Sequence, residues 1–194
     1  MAALDATRRL PPLLPALTRN PQSFPGCCLA LSAPLVDHVR LSSAPGLTLS
    51  IGSGSGLLEA YLATQPASHV VGVEVEPSPN QYLPASHHRR VHGTRFLEPL
   101  AQDAATWLFV YPRRVGLVRE YLDKYGQGTV QHIIWIGPQV DWDDYVGCFA
   151  EWDLDMQSAH TVGGRAWDVI AVAKRRHSPF TIQAEQATPA LLGK

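Results

Sequence analysis

The tightest constraint on this chain is a five-residue loop, Gly52-Ser-Gly-Ser-Gly56. It sits between an apolar run, Leu47-Thr-Leu-Ser-Ile51, and a segment of helical spacing, Leu57-Leu-Glu-Ala-Tyr-Leu-Ala63. A free Gly/Ser linker is not framed in this way. Pro66 ends the helix, and Val70-Val-Gly-Val-Glu-Val75 follows as a buried-strand run, closed by Glu76-Pro77. Strand, glycine turn, helix and strand within about thirty residues make a βαβ unit. Such a unit implies a parallel sheet with helices on both faces.

The alternation continues beyond the loop. Arg90 to Leu97 is expected as a third strand and Thr106 to Tyr111 as a fourth, stopped by Pro112. Val115 to Lys124 reads as a helix, because Val115, Val118 and Leu122 share a face and Gly126 and Gly128 follow. Gln131 to Ile136 is the next strand, stopped by Gly137-Pro138, and Asp141 to Trp152 the next helix, with acids in its first turn. Met156 to Val162 and Trp167 to Ala173 form a last pair of strands, joined through Gly163-Gly164 with no helix between, and so antiparallel. Before the loop, a short helix is expected from Ala33 to Leu41, ended by the breaker Pro45-Gly46. The prolines have a role in this scheme: Pro45, Pro66, Pro77, Pro112 and Pro138 all lie at element boundaries. The division expected is an N-terminal Pro-rich and helical extension over 1–45, an α/β domain over 46–176, and a final strand or tail over 177–194.

Composition narrows the partners. The chain has 194 residues, 16 Lys+Arg against 17 Asp+Glu, and a net charge of -1, which disfavours nucleic acid bound through bulk charge. No run approaches the roughly 18 apolar residues of a membrane span. The cysteines, Cys27, Cys28 and Cys148, are odd in number and include no CxxC pair. They read as small apolar residues in a reducing, cytoplasmic setting, with no structural zinc site. The first 25 residues carry Arg8, Arg9 and Arg19, so a mitochondrial presequence stays open, although Asp5 and the prolines count against it.

Three glycines let the backbone approach a ligand closely, and the N–H groups at a helix start face the same space. In open α/β sheets that space, at the carboxyl ends of the strands, takes a nucleotide or nucleoside. Glu74, twenty residues after Gly54 at the end of the second strand, stands where an acid would accept both ribose hydroxyls. The dinucleotide fingerprint GxGxxG is not met, because Leu57 stands where its third glycine belongs. There is also no Tyr-x-x-x-Lys pair, which disfavours a nicotinamide-dependent oxidoreductase.

An apolar strand followed by GxGxG and an acid at the end of the next strand resembles the class I S-adenosylmethionine-dependent methyltransferases. The resemblance runs from about Leu47 to Lys174. It implies a Rossmann-like methyltransferase fold, a mostly parallel sheet with a C-terminal antiparallel hairpin and helices on both faces. It implies S-adenosylmethionine as cofactor, held by Ser50, Gly52, Ser53, Gly54, Gly56, Glu74 and Thr94. Two acids usual in the family are missing: Ser50 stands two residues before the first glycine, and Thr94 near the expected adenine position. A charge-assisted hydrogen bond contributes about 1.5–3 kcal/mol, so these losses leave open a second reading, a non-catalytic binding or regulatory module of the same fold, or the fold co-opted for another reaction.

For chemistry, the end of the fourth strand faces the methyl donor in this family, and here it reads Val110-Tyr-Pro-Arg-Arg114. Tyr111 is the first catalytic candidate and His160, late in the chain, the second. Arg113 or Arg114 is suited to pairing with a carboxylate or phosphate. The cluster His87, His88, Arg89, Arg90 and His92 has no metal-ligand spacing and reads as a basic surface loop. The resemblance thus implies methyl transfer to a small molecule or a protein. With no obvious substrate lid, the pocket opens to a large substrate or is closed by a partner subunit or a second copy.

Overall fold

A computed structural model of the chain describes residues 12–66 and 68–176. The segment 177–194, expected as a final strand or tail, lies outside the described residues. The chain opens with strands β1 (Gln22–Phe24) and β2 (Cys27–Leu31), paired antiparallel, and helix α1 (Ala33–Ser42). Ser32 caps α1 by accepting the Leu35 amide at 3.2 Å, and proline fills its first turn, where no amide donor is needed. Leu35, Val36 and Val39 form its buried stripe.

The βαβ unit follows as β3 (Leu47–Ile51), α2 (Leu57–Leu62) and β4 (His69–Val75). After it come β5 (His88–Val91), β6 (Thr106–Val110), α3 (Val115–Tyr125), β7 (His132–Pro138), α4 (Trp142–Tyr145), β8 (Trp152–Ser158) and β9 (Asp168–Arg175). Among the described residues seven strands form one sheet in the order β5-β4-β3-β6-β7-β9-β8. The first five run parallel, and β9 and β8 are antiparallel additions at one side. This is the mostly parallel, Rossmann-like α/β sheet with a C-terminal antiparallel pair.

The β1–β2 hairpin, α1 and α2 cover one face, over Val70, Leu108, Ile134, Ile136, Ile170 and Val172. Helices α3 and α4 cover the other, over Leu49, Val71, Trp107, Phe109, Ile133 and Trp135. Strands buried on both faces explain the unbroken apolar runs. The strand order reverses between β3 and β6, which opens the crevice at the carboxyl edge where such sheets take ligands. Residues before Gly46 supply a large share of the first face, including Leu29, Leu31 and Leu35.

Three elements differ from expectation. The third strand ends at Val91, not Leu97, because the chain turns at His92-Gly93. The helix expected from Asp141 to Trp152 is a 3-10 turn (Gln139–Asp141), one turn of α4 and a second 3-10 turn (Val146–Phe149). Trp152 already belongs to β8, and Ala159–Val162 is a 3-10 turn rather than the end of that strand. Gly72 in β4 lies beneath the glycine loop: a Cβ there would meet Ser53 Oγ at 2.7 Å and Leu83 Cδ1 at 2.6 Å. No helix among the described residues is long and apolar enough to cross a membrane.

Candidate functional site

The glycine loop leaves β3 and folds back on β4. The amides of Gly52 and Ser53 both donate to the Val73 carbonyl, at 2.9 and 3.0 Å. Gly52, Gly54 and Gly56 all have positive φ, at 84°, 56° and 79°, so the turn depends on glycine at these places. A Cβ on Gly52 would meet nothing within 4 Å, so the loop presents open space there. Glu74 reaches back to the same turn: Oε2 accepts the Gly54 amide at 2.8 Å and Oε1 accepts the Val75 amide at 2.8 Å. The carboxylate is fixed by backbone and stays half-buried, with lone pairs left on both oxygens.

Ser50, Gly52, Ser53, Gly54, Gly56 and Glu74 therefore meet at the carboxyl ends of β3 and β4. Thr94 does not join them through any hydrogen bond. It lies in an exposed turn after β5, and its carbonyl accepts from Arg114 at 2.5 Å. Arg114 also makes a two-pronged pair with Glu120 of α3, at 2.8 and 2.7 Å, and so is committed to tying the turn after β5 to that helix. Arg113 is exposed.

Ser50 does not stand alone. Its hydroxyl donates to Glu59 Oε1 of α2 at 2.6 Å. Glu59 is buried, and burial pushes its carboxyl pKa up to about 7. An acid thus lies beneath the loop although the strand carries none. A signal was present in the sequence: Leu57-Leu-Glu-Ala-Tyr-Leu62 offers Glu59 no polar face to occupy.

The hairpin turn between β1 and β2 is seated on the loop. The Gly26 carbonyl accepts the Ser55 amide at 3.2 Å, and a Cβ on Gly54 would lie 3.1 Å from that same carbonyl oxygen. Further along the carboxyl edge, Ser23 of β1 accepts from the Arg165 guanidinium. Cys27 of β2 donates its thiol to the Leu29 carbonyl, and burial together with the Glu59 charge pushes that thiol up to about 12. It is inert near neutrality.

Tyr111 follows β6 with φ of 50°, a left-handed backbone that bulky residues rarely adopt. Its amide donates to the Ile136 carbonyl at 2.7 Å, and its hydroxyl donates to Asp168 Oδ1 at 2.5 Å. Asp168 opens β9 opposite Pro138, is fully buried, and keeps Oδ2 without a partner. Burial raises both groups above their ordinary values. Nothing local in the sequence marks Asp168, since only the β7–β9 register brings it to Tyr111. His160, in the turn after β8, is exposed and makes no side-chain hydrogen bond among the described residues. Tyr111→Phe is expected to cost about 1–3 kcal/mol by leaving Asp168 without its donor, and Asp168→Asn less. A chemical-unfolding midpoint unchanged in Tyr111→Phe would show that the bond is absent.

The histidine-rich segment is held on itself. His88 Nε2 lies 3.1 Å from Ser78 Oγ, and Glu76 pairs with Arg90 and His92 at 3.3 and 3.1 Å. Among the described residues no three His, Cys, Asp or Glu side chains gather to hold a metal ion.

No family model and no curated sequence matches the chain. Solved structures do match its fold. The precorrin-6y C5,15-methyltransferase of Geobacter metallireducens superposes with a TM-score of 0.55 at 11% identity, over 80% of this chain and 94% of that one. A precorrin 8w decarboxylase from Methanobacterium thermoautotrophicum gives 0.53 at 12% identity, over 80% and 96%. The small RNA methyltransferase HEN1 gives 0.51 at 15% identity, over 74% of this chain but 24% of that one. The chain shares the Rossmann-like α/β fold of these structures, two of which are methyltransferases. Since one fold hosts several reactions, its activity must be argued from the site.

Proposed function

We propose that the chain binds S-adenosylmethionine across the tips of β3 and β4 and transfers its methyl group to a small molecule or a protein. The observation that carries this reading is Glu74, held by the Gly54 amide and aimed along the glycine loop. A fixed carboxylate with free lone pairs suits the two ribose hydroxyls, and the open space at Gly52 admits a ligand against the backbone. When bound, the cofactor supplies an electrophilic methyl group on a sulfonium centre. The part of this chain is to bind, orient and exclude water, and positioning alone supplies much of the acceleration of such a transfer. Tyr111, at the tip of β6, is the residue we place against the acceptor. The balanced charge of the chain favours a small molecule or protein over nucleic acid, in a cytoplasmic setting. A partner subunit or a second copy would close the pocket.

One observation favours a second reading, a non-catalytic module. The Gly26 carbonyl already takes the Ser55 amide, so the hairpin turn lies on the loop a cofactor would approach. Calorimetric titration with S-adenosylmethionine and S-adenosylhomocysteine separates the two. Binding is expected, weakened about tenfold or more in Glu74→Ala by loss of charge-assisted bonds to the ribose. No binding at millimolar ligand would support the module and sink the cofactor reading. Binding unchanged in Glu74→Ala would sink the ribose placement.

A further inference from the structure

Glu59 is 2% exposed and follows the glycine loop by three residues. One carboxylate oxygen is held by Ser50, and the other has no hydrogen-bond partner. Among the described residues no Lys, Arg or His pairs with it. The titratable groups that face it are Glu74 of β4 and Cys27 of β2. Glu74 opposes its ionisation, and the Cys27 thiol supplies no positive charge. Arg40 of α1 touches α2, but it donates to the Tyr61 carbonyl at 3.1 Å and pairs with Asp37. A buried acid without a counter-charge is costly, and its retention calls for a cause.

The cause the geometry offers is a cation brought by the ligand. We infer that Glu59, steadied by Ser50, is the counter-charge of the cofactor site, offsetting a cationic centre of the bound cofactor. This rests on the cofactor reading above. S-adenosylmethionine carries two such centres, a sulfonium and an ammonium, whereas S-adenosylhomocysteine carries the ammonium alone. Glu59 is largely protonated in the free protein below about pH 7. Binding of the cation then drives its proton into solvent, and affinity falls as pH is lowered.

Calorimetry of the full chain with both ligands, in two buffers of different ionisation heat, reads this directly. The wild type is expected to release a proton on binding near about pH 6.5 and to bind more tightly towards about pH 8. Glu59→Gln is expected to bind about tenfold more weakly at the higher pH, with no proton release and a flat pH profile. Loss confined to S-adenosylmethionine assigns the sulfonium as the partner, and loss with both ligands assigns the ammonium. Ser50→Ala leaves the acid in place, so it keeps the proton release with its midpoint moved to higher pH. That variant serves equally if Glu59→Gln does not fold. Wild-type binding without proton release, or unaltered binding in Glu59→Gln, overturns the inference and leaves the cofactor reading standing. A wild type that binds neither ligand overturns the cofactor reading, and the inference with it.

Discussion

Trp107→Ala is expected to remove about 3–5 kcal/mol of stability, a large part of the 5–15 kcal/mol that holds a domain of ordinary size. Trp107 is fully buried on β6, between the sheet and α3, with its ring edge-on to Tyr121 at 5.9 Å. Its indole N–H donates to the Ala101 carbonyl at 2.9 Å, so truncation leaves a cavity and an unmet acceptor together. Trp135, on β7 in the same layer, makes a control. Its indole N–H has no partner, so Trp135→Phe removes volume but no hydrogen bond. Urea unfolding reads both through the midpoint, with the slope unchanged. A loss below about 1 kcal/mol in Trp107→Ala would contradict the packing of this layer.

The second large effect concerns Glu59 and pH. Its carboxyl is raised from 4.5 to about 7 in the folded protein, so between those values the native state binds the extra proton. Stability from the neutral form is fully present below about pH 4.5, is lost as pH rises through about 7, and is level above that. The shift corresponds to about 3 kcal/mol. Glu59→Gln removes the buried charge, so the variant is expected to match the wild type near about pH 4 and to exceed it by up to about 3 kcal/mol near about pH 8. Unfolding midpoints of both proteins across that range give the test. Parallel curves would mean that Glu59 does not titrate in the fold. If the same variant also binds the cofactor more weakly, Glu59 trades stability for affinity.

Much of this was legible in the sequence for identifiable reasons. The β3–loop–α2–β4 unit declared itself because its strands are buried on both faces and its turn demands glycine. The sheet continued to be legible at β6, α3 and β7 for the same reason. It failed where two periodicities agree with the wrong element. Trp142, Tyr145, Phe149 and Trp152 recur at helical spacing, yet after the single turn of α4 the chain takes a 3-10 turn and then an edge strand while keeping those rings inward. Arg90 to Leu97 has no proline to mark the end of the third strand, and it is Gly93 that turns the chain.

The grouping of the loop glycines with Glu74 was legible as well. Glycines and Glu74 are local signals, twenty residues apart on one unit. Ser50 read as the loss of an acid, because the residue that restores a carboxylate there comes from the next helix. Asp168 lies 57 residues from Tyr111 and meets it only through sheet register. Pairings of that kind are written in tertiary structure, and no window of sequence contains them.

The seat of the β1–β2 hairpin on the glycine loop is made by main-chain atoms, the Gly26 carbonyl and the Ser55 amide. A contact of that sort places few demands on neighbouring side chains beyond leaving room for the two backbones. Pro25 and Cys28, both exposed beside Gly26, can therefore be substituted without unseating the hairpin, whereas Phe24 packs against the core beneath it. Substitution there changes the surface beside the crevice while the main-chain floor stays the same. In this architecture the main-chain seat and the side chains beside the crevice can vary independently.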